Sequence, residues 1–433
     1  MLSFKSLLQN PVIKKSLSLF STDVLVRGAN FLLIPVFLHL MTKNDFGVYG
    51  YLYNFAMTCS VILNLGYHSA LPKLYIETSE NRKDNASMLF TLSISLFGFL
   101  AFIFALFYIT DADYAFFNIV NNSKDVQFDY RSYRPYLFIA LASMIFSNFL
   151  TYYFISAKKI KNIQAFNLIR MFVCNIAVIT VLYLSKDTDK VLLRLSITYV
   201  TEFLLCCVFA RSFLKEIWCK YRKDYILRAL KIGLPLSFVG LVNSVVNFGD
   251  KQFIMLYCGS EAMGAYNLAT LLATIPLIVF QSFNFVWLPN FLGEKNLQTL
   301  KKKNDRNAKI ILSVLLLLSI FIWFGSYLLL QWNIFPRNYG EITSYLPMLL
   351  LSQVFAALIL YYFNYFTYFE KTHIPMVISV CGAFAGYLLY SLSAEKFGAI
   401  GISTSIAVIN IAITLLYIIF SNHYINKRIK ATA

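Results

Sequence analysis

Apolar segments of about 20 residues recur along the whole 433-residue chain. Each is long enough to cross the roughly 30 Å hydrocarbon core of a bilayer as a helix. A segment in lipid must satisfy its backbone hydrogen bonds internally, so we expect a helix at every one of them. We predict twelve spans, at 17–40, 46–66, 87–110, 133–157, 164–185, 191–214, 232–257, 262–290, 308–330, 344–367, 373–394 and 398–421.

The composition supports a membrane protein. Hydrophobic residues make up 58% of the chain and charged residues 14%, against roughly 25% charged residues in an average soluble domain. The fold class is therefore predicted as all-α membrane protein with about 12 transmembrane helices. The seven cysteines form no CxxC, and no two of the four histidines lie at ligand spacing. We therefore expect no disulfide framework, no metal site and no cofactor.

The net charge of +17 has two possible readings. In a soluble protein such an excess suggests a nucleic-acid partner. Here 26 of the 38 basic residues fall in loops on the side of the N-terminus, and nine fall in the alternate loops. Basic residues collect in cytoplasmic loops of membrane proteins. The pattern predicts that both termini are cytoplasmic, and it removes the need for nucleic acid.

The chain also repeats itself at an offset of 217 residues. Residues 27–77 lie on 244–294 without a gap, so that Gly47-x-Tyr49 meets Gly264-x-Tyr266. The repeat predicts two six-helix lobes, at 1–214 and 232–433, joined by a cytoplasmic linker at 215–231. Because six crossings return the chain to its starting side, the pseudo-twofold axis should run along the membrane normal, with a substrate site between the lobes.

Six ionisable residues lie well inside predicted spans: Asp23, Arg27, Arg170, Glu202, Asp250 and Lys251. Charges at this depth are costly and usually face a cavity. Asp23, Arg27 and Asn30 follow one stripe of the first helix. Arg27 lies twelve residues past Lys15, or about 18 Å at 1.5 Å per residue. The stripe indicates a polar site near the midplane or, alternatively, an Asp23–Arg27 pair that neutralises itself.

The second half carries a matching stripe of Ser244, Asn247 and Lys251 on its first helix, and Asp250 and Lys251 lie nearer its outer end. Asp250 and Lys251 are either part of the site or an ion pair at the membrane interface, or Lys251 snorkels to the membrane surface. Arg170 either receives an anionic headgroup or snorkels to the inner surface. Glu202 either pairs with Arg170 as a structural bridge or couples an ion.

Two sets of motifs carry a resemblance to a known family. The first half contains Arg27-Gly-Ala-Asn-Phe-Leu-Leu-Ile-Pro35, Asp45-Phe-Gly-Val-Tyr49 and Leu65-Gly66, and the second contains Gly233-Leu-Pro-Leu236, Asp250-Lys251, Gly264-Ala-Tyr266 and Trp287-Leu-Pro289. In this order they resemble polysaccharide-biosynthesis flippases of the O-antigen (Wzx) type. Those belong to the multidrug/oligosaccharidyl-lipid/polysaccharide (MOP) exporter superfamily, with a MATE-like fold of two six-helix lobes. One departure is Lys251, where the family commonly has arginine, which binds phosphate with a bidentate geometry.

The resemblance implies a flippase that moves undecaprenyl-diphosphate-linked oligosaccharide units, precursors of O-antigen or capsule, from the cytoplasmic to the periplasmic leaflet by alternating access. Its setting would be the bacterial inner membrane, with membrane lipids, a polysaccharide polymerase and a chain-length regulator as partners. The expected substrate-binding residues of a central cavity are Arg27, Arg170, Lys251, Asn30 and Asn247. The candidates for coupling to a proton or sodium gradient are Asp23, Glu202 and Asp250.

Two other functions remain to be weighed. A cation-coupled multidrug exporter of the same superfamily is supported by Asp23, whereas Arg27 and Arg170 would repel cationic drugs. A membrane enzyme is disfavoured because the outer loops are short and no nucleophile–base set stands out, so we expect no catalytic residues. Tyr361, Tyr365 and Tyr368 share a helix face. They are candidates for stacking on sugar rings, for an interfacial belt, or for lipid-facing filler.

Overall fold

The computed structural model describes residues 11–120, 129–185, 188–214, 220–371 and 373–432. Within these ranges the chain forms thirteen α-helices and a short 3-10 helix at Arg337–Tyr339, and it contains no strand. The helices are α1 (Pro11–Leu40), α2 (Lys43–Leu63), α3 (Tyr67–Thr78), α4 (Arg82–Thr110), α5 (Ala112–Val120), α6 (Tyr130–Ser156), α7 (Ile160–Leu184), α8 (Lys190–Leu214), α9 (Lys223–Ala273), α10 (Ile275–Gly293), α11 (Leu297–Gln331), α12 (Ile342–Tyr368) and α13 (His373–Thr432).

Two of these helices are too long to be single membrane crossings. Helix α9 has 51 residues and α13 has 60, which at 1.5 Å per residue would give straight lengths of about 75 and 90 Å. Each contains one glycine with a left-handed backbone, Gly259 at φ 81° and Gly398 at φ 57°. Glycine reaches this conformation without the Cβ clash of other residues. Each long helix is therefore two consecutive helices that meet at a glycine.

These breaks explain the number of spans. Nine helical stretches in the described part of the chain are long and apolar enough to cross a membrane, and Val24–Leu40 is a shorter apolar one. Two of the nine, Gly240–Asn284 and His373–Lys430, contain the glycine breaks and supply two crossings each. The prediction of about twelve transmembrane helices in an all-α protein is confirmed.

Two of the differences between the predicted bounds and the structure have a cause in the backbone. The second span ends at Leu63 rather than 66, because Leu65 and Gly66 both have positive φ and the chain restarts as α3. The predicted outer loop 111–132 contains α5, which begins directly after Asp111 turns the chain at φ 53°. Both differences arise from residues with a positive φ, which hydropathy does not detect.

The chain divides into two compact units. The first comprises the described parts of 1–42, 51–122 and 127–244, and the second comprises Lys43–Gly50 and Val245–Ala433. Each has its own core. Leu92, Phe149 and Phe166 are fully buried in the first, while Phe280 and Val354 are fully buried in the second. Helices α2 and α9 each contribute residues to both units.

The tyrosines of α12 belong to the second core. Tyr361 and Tyr365 are 0% and 1% exposed, and the hydroxyl of Tyr361 donates to the carbonyl of Asn304 at 3.0 Å. The ring of Tyr365 packs edge-on against Phe291, with 5.0 Å between centroids. All three roles predicted for Tyr361 and Tyr365 are therefore wrong in this structure: they neither face a sugar site, nor form an interfacial belt, nor face lipid. Spacing alone does not distinguish a face that meets a neighbouring helix from one that meets a ligand or lipid.

The repeated glycine motif forms a close helix crossing within the second unit. A Cβ on Gly47 would lie 1.9 Å from the carbonyl oxygen of Ser260, and a Cβ on Gly264 would lie 2.2 Å from the carbonyl oxygen of Lys43. Both pairings are reciprocal under the 217-residue offset, because Gly47 corresponds to Gly264 and Lys43 to Ser260. The crossing therefore brings equivalent segments of the two repeats into backbone contact, which only glycine allows.

Candidate functional site

The first candidate region is the polar stripe of α1. Arg27 is half-buried and Asn30 is exposed. Leu25 and Leu32, with exposed fractions of 54% and 80%, lie on the opposite face of the helix at 100° per residue. Because a long apolar stripe is the natural lipid-facing side of a membrane helix, the polar stripe faces away from lipid. Asp23 belongs to the same stripe, but its side chain falls outside the described residues.

Two amide contacts tie α1 to α7. The side-chain amide of Gln164 donates to the hydroxyl of Thr22 at 3.0 Å, and the amide of Asn175 donates to the side-chain oxygen of Asn30 at 3.1 Å. One contact lies about a turn before Arg27 and the other about a turn after it. Side-chain hydrogen bonds between membrane helices fix rotation as well as separation. The Asn30 contact holds the polar stripe against α7, and the Thr22 contact, about 140° around the helix from Arg27, adds a second link between the two helices.

Arg170 and Glu202 form an ion pair between α7 and α8. One guanidinium nitrogen of Arg170 lies 2.8 Å from a carboxylate oxygen of Glu202 and donates to the hydroxyl of Ser147 at 2.9 Å. The guanidinium also lies over the ring of Phe166, 5.4 Å from its centroid. The Glu202 side chain is 10% exposed and that of Arg170 is 36% exposed. The pair links three helices, and each charge offsets the other.

Asp250 and Lys251 form a second pair, more deeply buried. The Lys251 ammonium donates to Asp250 Oδ1 at 3.0 Å and to the carbonyl of Asn247 at 2.7 Å. The hydroxyl of the fully buried Tyr266 donates to Asp250 Oδ2 at 2.8 Å. Both charged side chains are 7% exposed. Burial at this level requires that each charge be paired and hydrogen-bonded, as it is here.

The predicted site residues thus differ in location, burial and pairing. Arg27 and Asn30 lie on the polar stripe of the first unit, and Arg170 and Glu202 are paired to each other in that unit. Asn247 is exposed in the second unit, one helical turn before the buried Asp250–Lys251 pair. No group of three or more His, Cys, Asp or Glu side chains that could bind a metal occurs in the part of the chain that the structure describes.

Sequence reasoning missed four residues of these sites: Ser147, Gln164, Asn175 and Tyr266. Gln164 and Asn175 are amides inside an apolar segment, and that signal was available. Tyr266 stands in the repeated glycine–tyrosine motif, but the carboxylate it binds lies 16 residues earlier in the chain. Ser147 had no signal, because a serine in a membrane helix commonly bonds only to its own helix backbone.

The sequence of the chain matches two family models. Residues 12–292 match the model described as polysaccharide biosynthesis protein, and residues 235–392 match the model described as MatE. The first match covers well over half of the chain. The chain belongs to the polysaccharide biosynthesis protein family. No curated protein sequence matches it at a significant level.

Solved structures show the fold of this family member. A multidrug resistance MATE transporter of the MOP superfamily, in an inward-facing conformation, aligns with a TM-score of 0.66 and 13% identity over 95% of this chain and 100% of that one. The lipid II flippase MurJ, in an inward closed conformation, aligns with a TM-score of 0.71 and 16% identity over 92% of this chain and 87% of that one.

A MOP superfamily transporter from Pyrococcus furiosus, reported for the reverse polarity of its binding pocket, aligns with a TM-score of 0.57 and 11% identity, over 96% and 95% of the two chains. At these identities the likeness shows the fold, which is that of MATE-like MOP transporters. The fold, the family match and the apolar spans together identify a multi-pass membrane protein of the polysaccharide biosynthesis protein family.

Proposed function

We propose that this protein is a flippase for undecaprenyl-diphosphate-linked oligosaccharide units, precursors of O-antigen or capsule. It would move them from the cytoplasmic to the periplasmic leaflet of a bacterial inner membrane by alternating access, with both termini in the cytoplasm. A polysaccharide polymerase and a chain-length regulator would use the product. The observation that carries this proposal is the polar stripe of α1, where Arg27 lies one turn before Asn30, and Asn30 accepts a hydrogen bond from Asn175 of α7.

A diphosphate headgroup needs a cationic partner inside the membrane. Arginine suits this role because its planar guanidinium binds phosphate oxygens with two parallel hydrogen bonds. Arg170 and Lys251 already have carboxylate partners at 2.8 and 3.0 Å. Arg27 lies on the polar stripe of α1, one turn before Asn30, and we assign the main phosphate contact to it. Arg170 and Lys251 would bind substrate only after exchanging their carboxylate partners, and Asn30 and Asn247 would offer amide groups to sugar hydroxyls.

The driving force is part of the proposal. An inside-negative potential favours outward movement of anionic phosphate by about 2.3 kcal/mol per charge per 100 mV, if the charge crosses the whole field. Glu202 and Asp250 each have a cationic partner, so binding a coupling ion there would compete with arginine or lysine. Asp23, on the polar stripe of α1, stays a candidate for coupling to a proton or sodium gradient.

The experiment is complementation of a strain that lacks this protein and any redundant exporter. Such a strain should accumulate lipid-linked units on the cytoplasmic face and lose polymerised surface glycan. Arg27→Ala should fail to restore the glycan although the protein is inserted, while Arg27→Lys should restore part of it because a charge without bidentate geometry remains. Leu25→Ala, on the opposite face of α1, is the matched control and should complement normally.

Two results would contradict the proposal. Unchanged surface glycan in the deletion strain would remove the flippase function. Full complementation by Arg27→Ala would leave the flippase function standing but remove Arg27 from the substrate site.

The alternative function is a cation-coupled multidrug exporter, and the similarity to MATE transporters favours it. A site dominated by Arg27 would repel the cationic compounds typical of such exporters. A drug-susceptibility panel on the same deletion strain distinguishes the two functions. Broad loss of resistance with intact surface glycan would favour the exporter.

A further inference from the structure

Helix α5 has an inverted amphipathic pattern. It buries a charged residue, Asp113, at 8% exposure, and exposes two large apolar residues, Phe116 at 55% and Ile119 at 78%. A helix lying on a water-soluble surface shows the opposite arrangement. Polar Asn118 is also exposed, but it lies about 200° around the helix from Phe116. The exposed side of α5 therefore has an apolar edge and a polar edge.

The orientation of α5 is fixed by its buried side. Asp113 accepts hydrogen bonds from the Arg134 guanidinium at 2.8 Å and from the Tyr130 hydroxyl at 3.0 Å. Phe117, one turn later, stacks on Tyr130 with 4.4 Å between ring centroids. An ion pair buried on both sides and a stacked aromatic pair hold one face of α5 against α6. The apolar edge cannot rotate inward without breaking them.

The surroundings of α5 indicate the level of a membrane surface. The helix starts immediately after the span Arg82–Thr110, whose last turns expose Tyr108 at 74% and Ile109 at 80%. The end of that span and α5 therefore both expose large apolar side chains within a few residues of Asp111. Arg131 is exposed and lies 4.4 Å from the ring centroid of Tyr114. Tyrosine and arginine side chains concentrate where the hydrocarbon meets the headgroups.

We propose that α5 is an interfacial helix that lies in the plane of the membrane and binds phospholipid. Phe116 and Ile119 enter the acyl-chain boundary of the adjacent leaflet. Asn118 faces the headgroups and water, and Arg131 lies at the level of the lipid phosphates. Helices of this kind bury their apolar face about 5–10 Å into the boundary between headgroups and acyl chains. Here α5 fixes the depth in the membrane at which α4 ends and α6 begins.

The test places tryptophan on the two edges of α5 in the full-length protein, reconstituted in phosphatidylcholine vesicles. Phe116→Trp and Asn118→Trp are each compared with the parent protein, since four natural tryptophans give a background. We expect phosphatidylcholine brominated on its acyl chains near the headgroup to quench the added emission of Phe116→Trp. Aqueous iodide should instead quench the added emission of Asn118→Trp.

Two outcomes would overturn the proposal. Equal quenching of both variants by iodide would place the apolar edge in water. Protection of Phe116→Trp from both quenchers would mean that protein, such as a second copy of this chain, covers the edge. Neither measurement depends on the transported substrate, so the result stands apart from the proposed function.

Discussion

At the residue scale, the buried pair of Asp250 and Lys251 is expected to act as a unit. Lys251→Met leaves the Asp250 carboxylate at 7% exposure without its cation, while the hydrogen bond from the Tyr266 hydroxyl remains. Removing one partner of a buried ion pair typically destabilises a protein by about 3–5 kcal/mol, whereas replacing both by apolar groups is often neutral. We therefore expect a clear fall in thermal stability for Lys251→Met and recovery in the double variant Asp250→Leu/Lys251→Met.

Thermal unfolding in the same detergent or nanodisc measures both variants. If the double variant melted as low as the single one, the pair would not be a self-contained unit and Asp250 would have a further partner. Transport by a stable double variant would show that neither charge is needed for substrate or ion.

At the element scale, the crossing of the two repeats depends on glycine. A Cβ on Gly47 would meet backbone atoms of α9 at 1.9 and 2.7 Å, and backbone cannot rotate aside as a side chain can. Overpacking of this kind costs about 1–3 kcal/mol or more. Gly47→Ala should therefore lower the unfolding temperature and transport together. Gly98→Ala is the matched control, because a Cβ there meets no atom within 4 Å and alanine favours a helix.

The same argument applies to Gly264, whose Cβ would meet the backbone of Lys43. Stability of Gly47→Ala equal to that of the Gly98→Ala control would show that the two helices separate at no cost, and the reciprocal contact would then have no structural role.

At the scale of the whole molecule, α2 joins the two units. Its residues Lys43–Gly50 belong to the second unit, and its remainder belongs to the first. Lys43 pairs with Glu341 at 2.9 Å, and a Cβ on Gly50 would lie 2.3 Å from the Asn267 side chain. If transport requires this segment to separate from α9, a covalent bond should stop it. We expect oxidised Gly50→Cys/Asn267→Cys to lose transport and to regain it on reduction.

The single variants Gly50→Cys and Asn267→Cys, oxidised in the same way, control for the chain's own cysteines. Disulfide formation is checked by a mobility shift or mass. Normal transport by the fully cross-linked protein would show that this crossing stays closed throughout the cycle.

The number of transmembrane helices was predictable from the sequence, because hydropathy decides it. Twelve apolar segments gave the right number of crossings, because a span must satisfy its own backbone and be long enough for the bilayer. The ends were less predictable. Leu65, Gly66 and Asp111 end or redirect helices through a positive φ, and this backbone choice depends on local turn contacts rather than on hydropathy. Helix α5 was missed for the same reason.

The candidate site was predictable as a set of residues but not as an arrangement. The cost of charge in a membrane selects Arg27, Arg170, Glu202, Asp250 and Lys251 from sequence alone. Partners such as Tyr266 and Asn175 lie on other turns or other helices, so no local pattern identifies them. Tyr361 and Tyr365 are buried in the core of the second unit. The sequence did not reveal this, because the helices that cover them are distant in the chain.

The sequence by itself therefore determined the membrane class, the number of spans, the repeat and the list of charged residues, because each follows from composition, period or offset along one chain. The tertiary structure alone decided which charges neutralise each other, which face of α1 turns from lipid, and why the glycines at 47 and 264 are needed. Those outcomes depend on side-chain directions and on backbone approach between helices distant in sequence, and packing sets both.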